Sequence, residues 1–416
     1  MIVHVESYGC AANKAYGVSL QGELERGGFE LSASPDDAEL VVVNTCTVKG
    51  QTEDRMIERI RQLLGAGKNV VVTGCMATAQ PGLVARLVGR DNVIPLEGFH
   101  LPHEGPGPSG VGSRSRALPP LPSRPVARKA VVPISRGCLG KCTYCIVRLA
   151  LGPLRSYGVS TLVSHVDRMV RSGASEIYLT SQDLAAFGSD NGETLLDLIE
   201  GISDLDGDFR ARLGMMTPNR AAPIFDELLE LIAADSRFYR FLHLPLQSGD
   251  DGILRLMGRN YSRSGFLSLV RRARQHIPTL NLTTDIIIGF PFEDEGAFRN
   301  TLSAVQQASP NKVNISRFTP RPHTVASLLP QVDRRVVNSR SRIAHEGCNE
   351  VVRRANEALV GTELTVVPHR DSKGGYSGRA INFLPVRIKA GRELELHTPI
   401  EVRIEGATTS GLAASV

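Results

Sequence analysis

The sequence predicts an α/β protein in three parts: an N-terminal parallel α/β sheet domain, a central partial β/α barrel and a small antiparallel β-barrel at the C-terminus. Three observations predict it. Short apolar runs alternate with amphipathic stretches up to residue 98. The alternation resumes at Ala130 and lasts to about residue 320. The final stretch changes to short strand-like runs between glycine-rich turns. A chain of 416 residues exceeds one ordinary domain. Its 42% hydrophobic and 22% charged residues suffice for buried cores and argue against global disorder.

Taken in order, Ile2–Glu6, Leu40–Asn44 and Val70–Thr73 read as strands. Lys14–Gly27 and Gln51–Gly65 carry apolar residues at helical spacing and end in glycine. Strand–helix–strand order implies a parallel sheet. The part from 99 to 128 is dense in Pro, Gly and Ser and reads as a linker. Six further strands are expected at Val131–Ser135, Glu176–Thr180, Phe209–Gly214, Phe241–Pro245, Leu282–Gly289 and Lys312–Phe318. Helices such as Thr161–Arg171, Pro223–Ala234 and Phe266–His276 fit between them, so any chemistry belongs at the C-terminal strand ends. An Arg-rich helix over Arg334–Leu359 closes this part, 129–359. Residues 360–416 contain Thr365–Pro368, Ala380–Val386 and Pro399–Ile404, read as strands of the small barrel.

Net charge is +5, a mild excess that permits a nucleic-acid partner without demanding one. No apolar run approaches a membrane span, and the opening MIVHVESYGC has neither the basic start nor the apolar stretch of a secretory signal. A cytoplasmic chain is expected, in which seven cysteines point to metal or redox use rather than disulfides.

Cys138, Cys142 and Cys145 form C-x3-C-x2-C within Arg136-Gly-Cys-Leu-Gly-Lys-Cys-Thr-Tyr-Cys145, just after the first barrel strand. Three soft thiolates suit an iron–sulfur cluster and leave one iron open to a ligand. A zinc knuckle completed by histidine is the alternative, although zinc sites usually show paired C-x2-C spacings. Cys10, Cys46 and Cys75 are separated by 36 and 29 residues, yet each follows a predicted strand by a few residues. In a parallel sheet these tips share one edge, where open α/β sheets bind ligands. Three unrelated buried cysteines are the competing reading. Cys348, alone in the late helix, reads as packing.

The cysteine spacing with the barrel resembles the radical S-adenosylmethionine enzymes, and Tyr144 fills the aromatic position usual before the third cysteine. Both triplets together with the terminal barrel resemble the methylthiotransferases over nearly the whole chain. Gly214-Met-Met-Thr-Pro, His243-Leu-Pro-Leu-Gln-Ser-Gly249, Leu256-Met-Gly-Arg-Asn-Tyr261 and Asp285-Ile-Ile-Ile-Gly-Phe-Pro-Phe-Glu293 add to the match. Leu179-Thr-Ser-Gln-Asp-Leu-Ala-Ala-Phe-Gly188 and Cys138-Leu-Gly-Lys-Cys look most like the archaeal and eukaryotic branch. That branch acts on N(6)-threonylcarbamoyladenosine at tRNA position 37.

The resemblance implies two [4Fe-4S] clusters, one on each cysteine triplet, together with S-adenosylmethionine and a tRNA anticodon loop. It also implies an electron donor and a sulfur donor that the sequence does not identify. It makes the C-terminal part similar to the RNA-binding TRAM domain. Isopentenyl-modified adenosine or a ribosomal-protein aspartate is the alternative target, and a zinc-containing RNA-binding protein the alternative class. One departure stands out: the family's Ala-Arg-Gly after the third cysteine is Ala150-Leu151-Gly152, which removes a cation near that cluster.

Strand-end placement makes Gln182, Asp183, Gln247, Ser248 and Gly289 candidates for contacts to S-adenosylmethionine or substrate. His243 reads as a core histidine, and Asn13 either lines the sulfur site or caps the following helix. Six arginines between Arg255 and Gln275 (255, 259, 263, 271, 272 and 274) have no acid among them, which favours phosphate contacts over a solvated face. Arg370, Lys373, Arg379, Arg387, Lys389 and Arg392 add cations to the terminal part, but residues 361–416 hold seven Lys/Arg and six Asp/Glu, so charge does not single out a face. Gly105-Pro-Gly-Pro-Ser-Gly110 matches a dinucleotide fingerprint only in letters, since its prolines lack N–H donors. Gly65-Ala-Gly-Lys68 lacks the rest of a phosphate-binding loop.

Overall fold

A computed structural model describes residues 1–47, 50–95, 118–372 and 374–416. Two compact units emerge: residues 1–209 with 319–327, and residues 210–318 with 328–416.

The first unit begins with β1 (Ile2–Ser7), α1 (Ala11–Arg26), β2 (Glu30–Leu31), β3 (Leu40–Thr45), α2 (Gly50–Gly65), β4 (Asn69–Gly74), α3 (Cys75–Ala79) and α4 (Pro81–Val88). Its strands pair in the order β2-β1-β3-β4, all parallel. The Val41-Val-Val43 run explains why β3 is central. Strand alternation sends Val41 and Val43 to one face, where they meet Met56, Ile60 and Val72. Val42 goes to the other face, against Val3, Leu20 and Leu24. A fully buried valine or leucine contributes about 1.5–3 kcal/mol, so a strand apolar on both faces is held from both sides.

The helix α1 starts three residues before the periodicity suggested, because Cys10 is already its N-cap. The two-residue β2 and the helices α3 and α4 had no reading in the sequence, although Pro81 sits at the first turn of α4, where proline is favoured.

The unit continues with β5 (Lys129–Pro133), β6 (Ser135–Arg136), α5 (Val147–Leu151), β7 (Arg155–Ser156), α6 (Val159–Arg171), β8 (Glu176–Thr180) and α7 (Leu195–Ser203). β5 and β8 pair in parallel from Lys129↔Glu176 to Pro133↔Thr180, while β6 and β7 pair antiparallel. The single strand expected over Val131–Ser135 is therefore two pieces. The second piece leads straight into the C-x3-C-x2-C loop.

The second unit holds β9 (Arg210–Arg212), α8 (Pro218–Ala221), α9 (Phe225–Ala234), β10 (Phe241–His243), α10 (Asp251–Leu256), α11 (Arg263–His276), β11 (Asn281–Ile288), α12 (Glu295–Ala308), β12 (Lys312–Arg317) and α13 (Arg334–Glu357). β10, β11 and β12 form a parallel sheet. Asp250, Ser262 and Asp294 cap α10, α11 and α12 through side-chain oxygens that accept a backbone N–H.

The chain ends in a closed barrel of β13 (Glu363–Arg370), β14 (Tyr376–Ala380), β15 (Pro385–Lys389), β16 (Ile400–Thr408) and β17 (Gly411–Ser415), ordered β13-β14-β15-β17-β16. Val366, Val386, Val402, Ile404 and Leu412 fill it. Two readings need correction. Ala380–Val386 is not one strand: it runs from the end of β14 through a turn at 381–384 into β15, and in that turn Phe383 has a φ of 68° and lays its ring beside Tyr239 and Phe241. The pairs are antiparallel except β15–β17, which is parallel.

Candidate active site

Three strand tips bring the scattered cysteines together. Parallel pairing matches Ser7 with Asn44 and Thr45 with Gly74, so β1, β3 and β4 end side by side. Cys10 caps α1, Cys46 directly follows β3, and Cys75 opens α3. Gly9 has a φ of 101°, and a Cβ there would lie 2.6 Å from the Cys46 Cβ and 2.8 Å from its Sγ. Only glycine lets the Cys10 loop rest on Cys46.

Burial pushes the Cys75 thiol well above its ordinary range, negative charge on Cys10 and Cys46 pushes it further, and the Arg136 guanidinium opposes both. Three ionised thiols so close repel one another unless a cationic centre lies among them. The cationic iron of an iron–sulfur core meets that need, so this donor set fits it. Among the described residues, no three His, Cys, Asp or Glu side chains converge on a single-ion site.

Asn13 settles between its two readings. It lies inside α1, buried, and does not cap it. Its Nδ2 donates to Tyr8 O at 2.6 Å and Thr45 O at 3.1 Å, and its Oδ1 faces the Cys75 thiol at 4.0 Å. Asn44 Nδ2 donates to Asn13 O at 2.7 Å. One asparagine thus ties all three tips.

The second triplet is local. Gly137 has a φ of 82°, and a Cβ there would stand 1.9 Å from Pro153 O, so the chain turns tightly into Cys138. Gly140 N donates to Cys138 Sγ at 3.2 Å, and a Cβ on Gly140 would be 3.2 Å from that sulfur and 3.6 Å from Cys142 Sγ. Cys145 N donates to Cys142 O at 3.2 Å. All three cysteines and Tyr144 are half-buried. Ile146 and α5 follow, and Ile146, Ala150 and Leu151 share an apolar cluster with Tyr16, Cys75 and Ala79. Through that cluster the two triplets are neighbours.

A small cavity of about 60 Å³ opens here, lined among others by Cys10, Asn13, Cys75, Ser135, Arg136 and Gln182. Cys46, the three cysteines of the second triplet, Tyr144 and Asp183 are not among its lining. Tyr16, Leu151 and Tyr157 also border it. Burial pushes the Tyr16 hydroxyl up to about 12 against the pull of Arg136. Tyr157 is raised further by burial, again opposed by Arg136. Arg136 was read only as the start of the cysteine motif, yet it is the buried guanidinium of this cavity. Leu151, where the family usually has arginine, borders the same space. The cation missing at 151 is matched in space by one at 136. Among the described residues, the buried Gln182 Oε1 and Ser135 Oγ find no hydrogen-bond partner, as acceptors meant for a polar ligand would. Asp183 is buried and heads the turn at Leu184–Ala186.

In the second unit, Gln247 is held at a φ of 64°, its N–H on Asp285 O at 2.7 Å. Ser248 is wholly buried, its hydroxyl paired with Thr301 at 3.3 Å and accepting from Asp250 N at 3.2 Å. Gly289 N donates to Glu293 Oε1 at 3.0 Å, and α13 presses on it through Val337. His243, expected as a satisfied core histidine, is half-buried and has its partner. Its Nε2 lies 2.6 Å from Asp285 Oδ2, and Asn314 donates to the other oxygen at 2.9 Å. The pairing His243↔Thr283 puts Asp285 two residues on and on the same face. Phe292, missed in the sequence, stands at a φ of 67° and 54% exposed just past β11.

The arginine run also needs correction. Arg272 Nε donates to Asp226 at 2.9 Å, Arg263 to Ser303 at 2.9 Å, and Arg274 to Ser309 O at 2.6 Å. The absent acid comes from α9, beyond the reach of a scan along the run. Arg370 pairs with Glu393 at 3.2 Å, while Lys373 and the 105–110 segment lie outside the described residues. Lys68 donates to Asp36 O at 2.6 Å just past α2, a helix-end contact. Burial pushes the Cys348 thiol up to about 11, in keeping with a packing role. Among the described residues no helix is long and apolar enough to cross a membrane.

Comparison with known proteins bears on this geometry. Residues 2–94 match an uncharacterized protein family, UPF0004, and residues 132–305 match the Radical SAM superfamily. A probable threonylcarbamoyladenosine tRNA methylthiotransferase of Pyrococcus abyssi is 37% identical, the match covering 100% of this chain and 99% of that protein. The threonylcarbamoyladenosine tRNA methylthiotransferase of Danio rerio is 32% identical over 82% of this chain and 64% of its own. A radical S-adenosylmethionine methyltransferase from Kitasatospora setae, solved with cobalamin and a [4Fe-4S] cluster bound, superposes with a TM-score of 0.56. It is 14% identical over 79% of this chain and 77% of that one, a likeness of fold alone.

Proposed function

We infer the function from one premise: this chain belongs to the threonylcarbamoyladenosine tRNA methylthiotransferase family and is a transferase of the radical S-adenosylmethionine class. It converts N(6)-threonylcarbamoyladenosine at tRNA position 37 to the 2-methylthio derivative. The observation that carries the reading is the meeting of the Cys10, Cys46 and Cys75 strand tips beside a cavity that Cys10, Cys75, Ser135, Arg136 and Gln182 line.

Cys138, Cys142 and Cys145 hold one [4Fe-4S] cluster and Cys10, Cys46 and Cys75 a second. With S-adenosylmethionine bound, these groups supply the radical, sulfur and methyl chemistry that replaces the C2 hydrogen of the base. That carbon is neither acidic nor electrophilic enough for proton-transfer catalysis by side chains. The chain's own residues therefore bind, orient and seclude. Asn13 and Gly9 hold the three tips in register. Ile146, Ala150 and Leu151 keep water from Cys75, and Arg136 sets a fixed positive charge beside it. Gln182 Oε1 and Ser135 Oγ accept hydrogen bonds from a bound ligand. Tyr144 and Asp183 serve the S-adenosylmethionine site by shaping its turns, while Gln182 touches the ligand; Gln247, Ser248 and Gly289 shape the turns that follow β10 and β11 in the second unit.

The division of labour follows the parts 1–98, 129–359 and 360–416, joined by 99–128, with the terminal barrel as a TRAM-like RNA contact. The tRNA anticodon loop is the partner, already single-stranded, so the base is displaced cheaply. Electrons and sulfur come from donors in the same cytoplasm. The test is mass analysis of nucleosides from tRNA of cells with and without the gene. Threonylcarbamoyladenosine should gain a methylthio group only when the gene is present; no gain in either strain defeats the proposal. Anaerobic reconstitution should give about eight irons with acid-labile sulfide per chain.

A further inference from the structure

We propose that Arg321 is a positioning residue for the Cys10/Cys46/Cys75 site, and that Thr319–Ser327 is a brace fixing that site relative to the Cys138/Cys142/Cys145 loop. The segment follows β12 in sequence but belongs to the first unit. Arg321 Nη2 donates to Thr47 Oγ1 at 2.9 Å and to the Glu53 carboxylate. Thr47 donates to Glu53 Oε2 at 2.8 Å, and Gln80 Nε2 donates to both Thr47 Oγ1 and Glu53 Oε2 at 2.8 Å. The Arg321 and Glu53 side chains are only 7% and 12% exposed.

Thr47 follows Cys46, and Gln80 ends the helix that Cys75 begins. One buried ion pair therefore clamps the two buried cysteine loops from behind. At its other end the segment reaches the second triplet: Ala326 N donates to Thr143 O at 2.9 Å, between Cys142 and Cys145. The span between is stiffened from within. Thr324 donates to Arg321 O through its hydroxyl at 2.7 Å, and Ser327 Oγ donates to Thr324 O at 2.6 Å. Thr319 also packs where a Cβ on Gly50 would be 3.2 Å from its Cγ2, at the start of α2.

A buried pair of this kind is weak evidence for stability, and the role assigned to it here is to fix the geometry of the loops it joins. Neither Arg321, Glu53, Thr47 nor Gln80 lines the cavity. Their effect on chemistry passes through the loops they hold.

The inference rests on the function proposed above, and the test separates the two. In the reconstituted full chain, 5′-deoxyadenosine and methylthio-nucleoside are measured together. In Arg321→Met, the deoxyadenosine yield should stay within about twofold while methylthio product falls about tenfold, and Arg321→Lys should restore most of the product. In the metal-free protein, amide exchange at Cys46–Thr47 should quicken about tenfold without change in the terminal barrel. An unchanged product ratio in Arg321→Met, or exchange that quickens everywhere alike, overturns the brace. Should that variant fail to fold, Glu53→Gln decides: a ratio shifted about threefold supports the brace and an unshifted ratio overturns it. If the wild type makes no methylthio-nucleoside, the proposed function fails while the exchange measurement still judges the brace.

Discussion

The two cysteine triplets meet one demand in opposite ways. Cys138, Cys142 and Cys145 lie on a single loop, shaped by Gly137 and by the hydrogen bond from Cys145 N to Cys142 O. Cys10, Cys46 and Cys75 come from three strands, and only the sheet's register makes them neighbours. A local site tolerates strain elsewhere; a distributed one inherits every error of the sheet.

The largest effect should come from deleting ligands. Cys142→Ala should abolish cleavage of S-adenosylmethionine, while Cys46→Ala should leave cleavage measurable and reduce methylthio-nucleoside below detection. Equal loss of cleavage in both would erase the distinction. Next come the turns. Gly137→Ala meets Pro153 backbone and Gly9→Ala meets Cys46, each in a left-handed conformation, so each should cost about 1–3 kcal/mol by denaturant unfolding. Iron counting sharpens the contrast: each variant should lose about half its iron, Gly9→Ala keeping the cleavage activity that Gly137→Ala loses.

Asn13→Ala removes the donor to Tyr8 O and Thr45 O, and about 1–3 kcal/mol is expected to be lost. Chelator challenge should then strip iron from the distributed site first. Leu151→Arg is the smallest test. It places a second guanidinium beside buried Arg136 and within the apolar cluster around Cys75. A fall in thermal midpoint without loss of the local site is expected, and a rise would show that the cavity has room for both charges.

Legibility in the sequence followed the same divide. The local triplet was plain from spacing. The distributed one was legible only through strand placement, because β3 and β4 are unbroken apolar runs whose ends can be located. What stayed hidden depended on contacts between distant segments: Arg136 facing Cys75, Asp285 under His243, Asp226 against Arg272, and Arg321 reaching Glu53. The two-residue β2 is too short for a period to show, and β17, Gly-Leu-Ala-Ala-Ser, has too little contrast between large apolar and polar residues. Ala380–Val386 looked like a strand because its apolar residues serve a turn that packs Phe383 inward.

The adjacency of the tips of β1, β3 and β4 also dictates an order of manufacture. A loop bearing all three of its sulfurs can capture iron while the polypeptide is still emerging. A cup assembled from three separate threads does not exist until the weave is finished, so the second cluster proposed above would have to wait for a completed apoprotein.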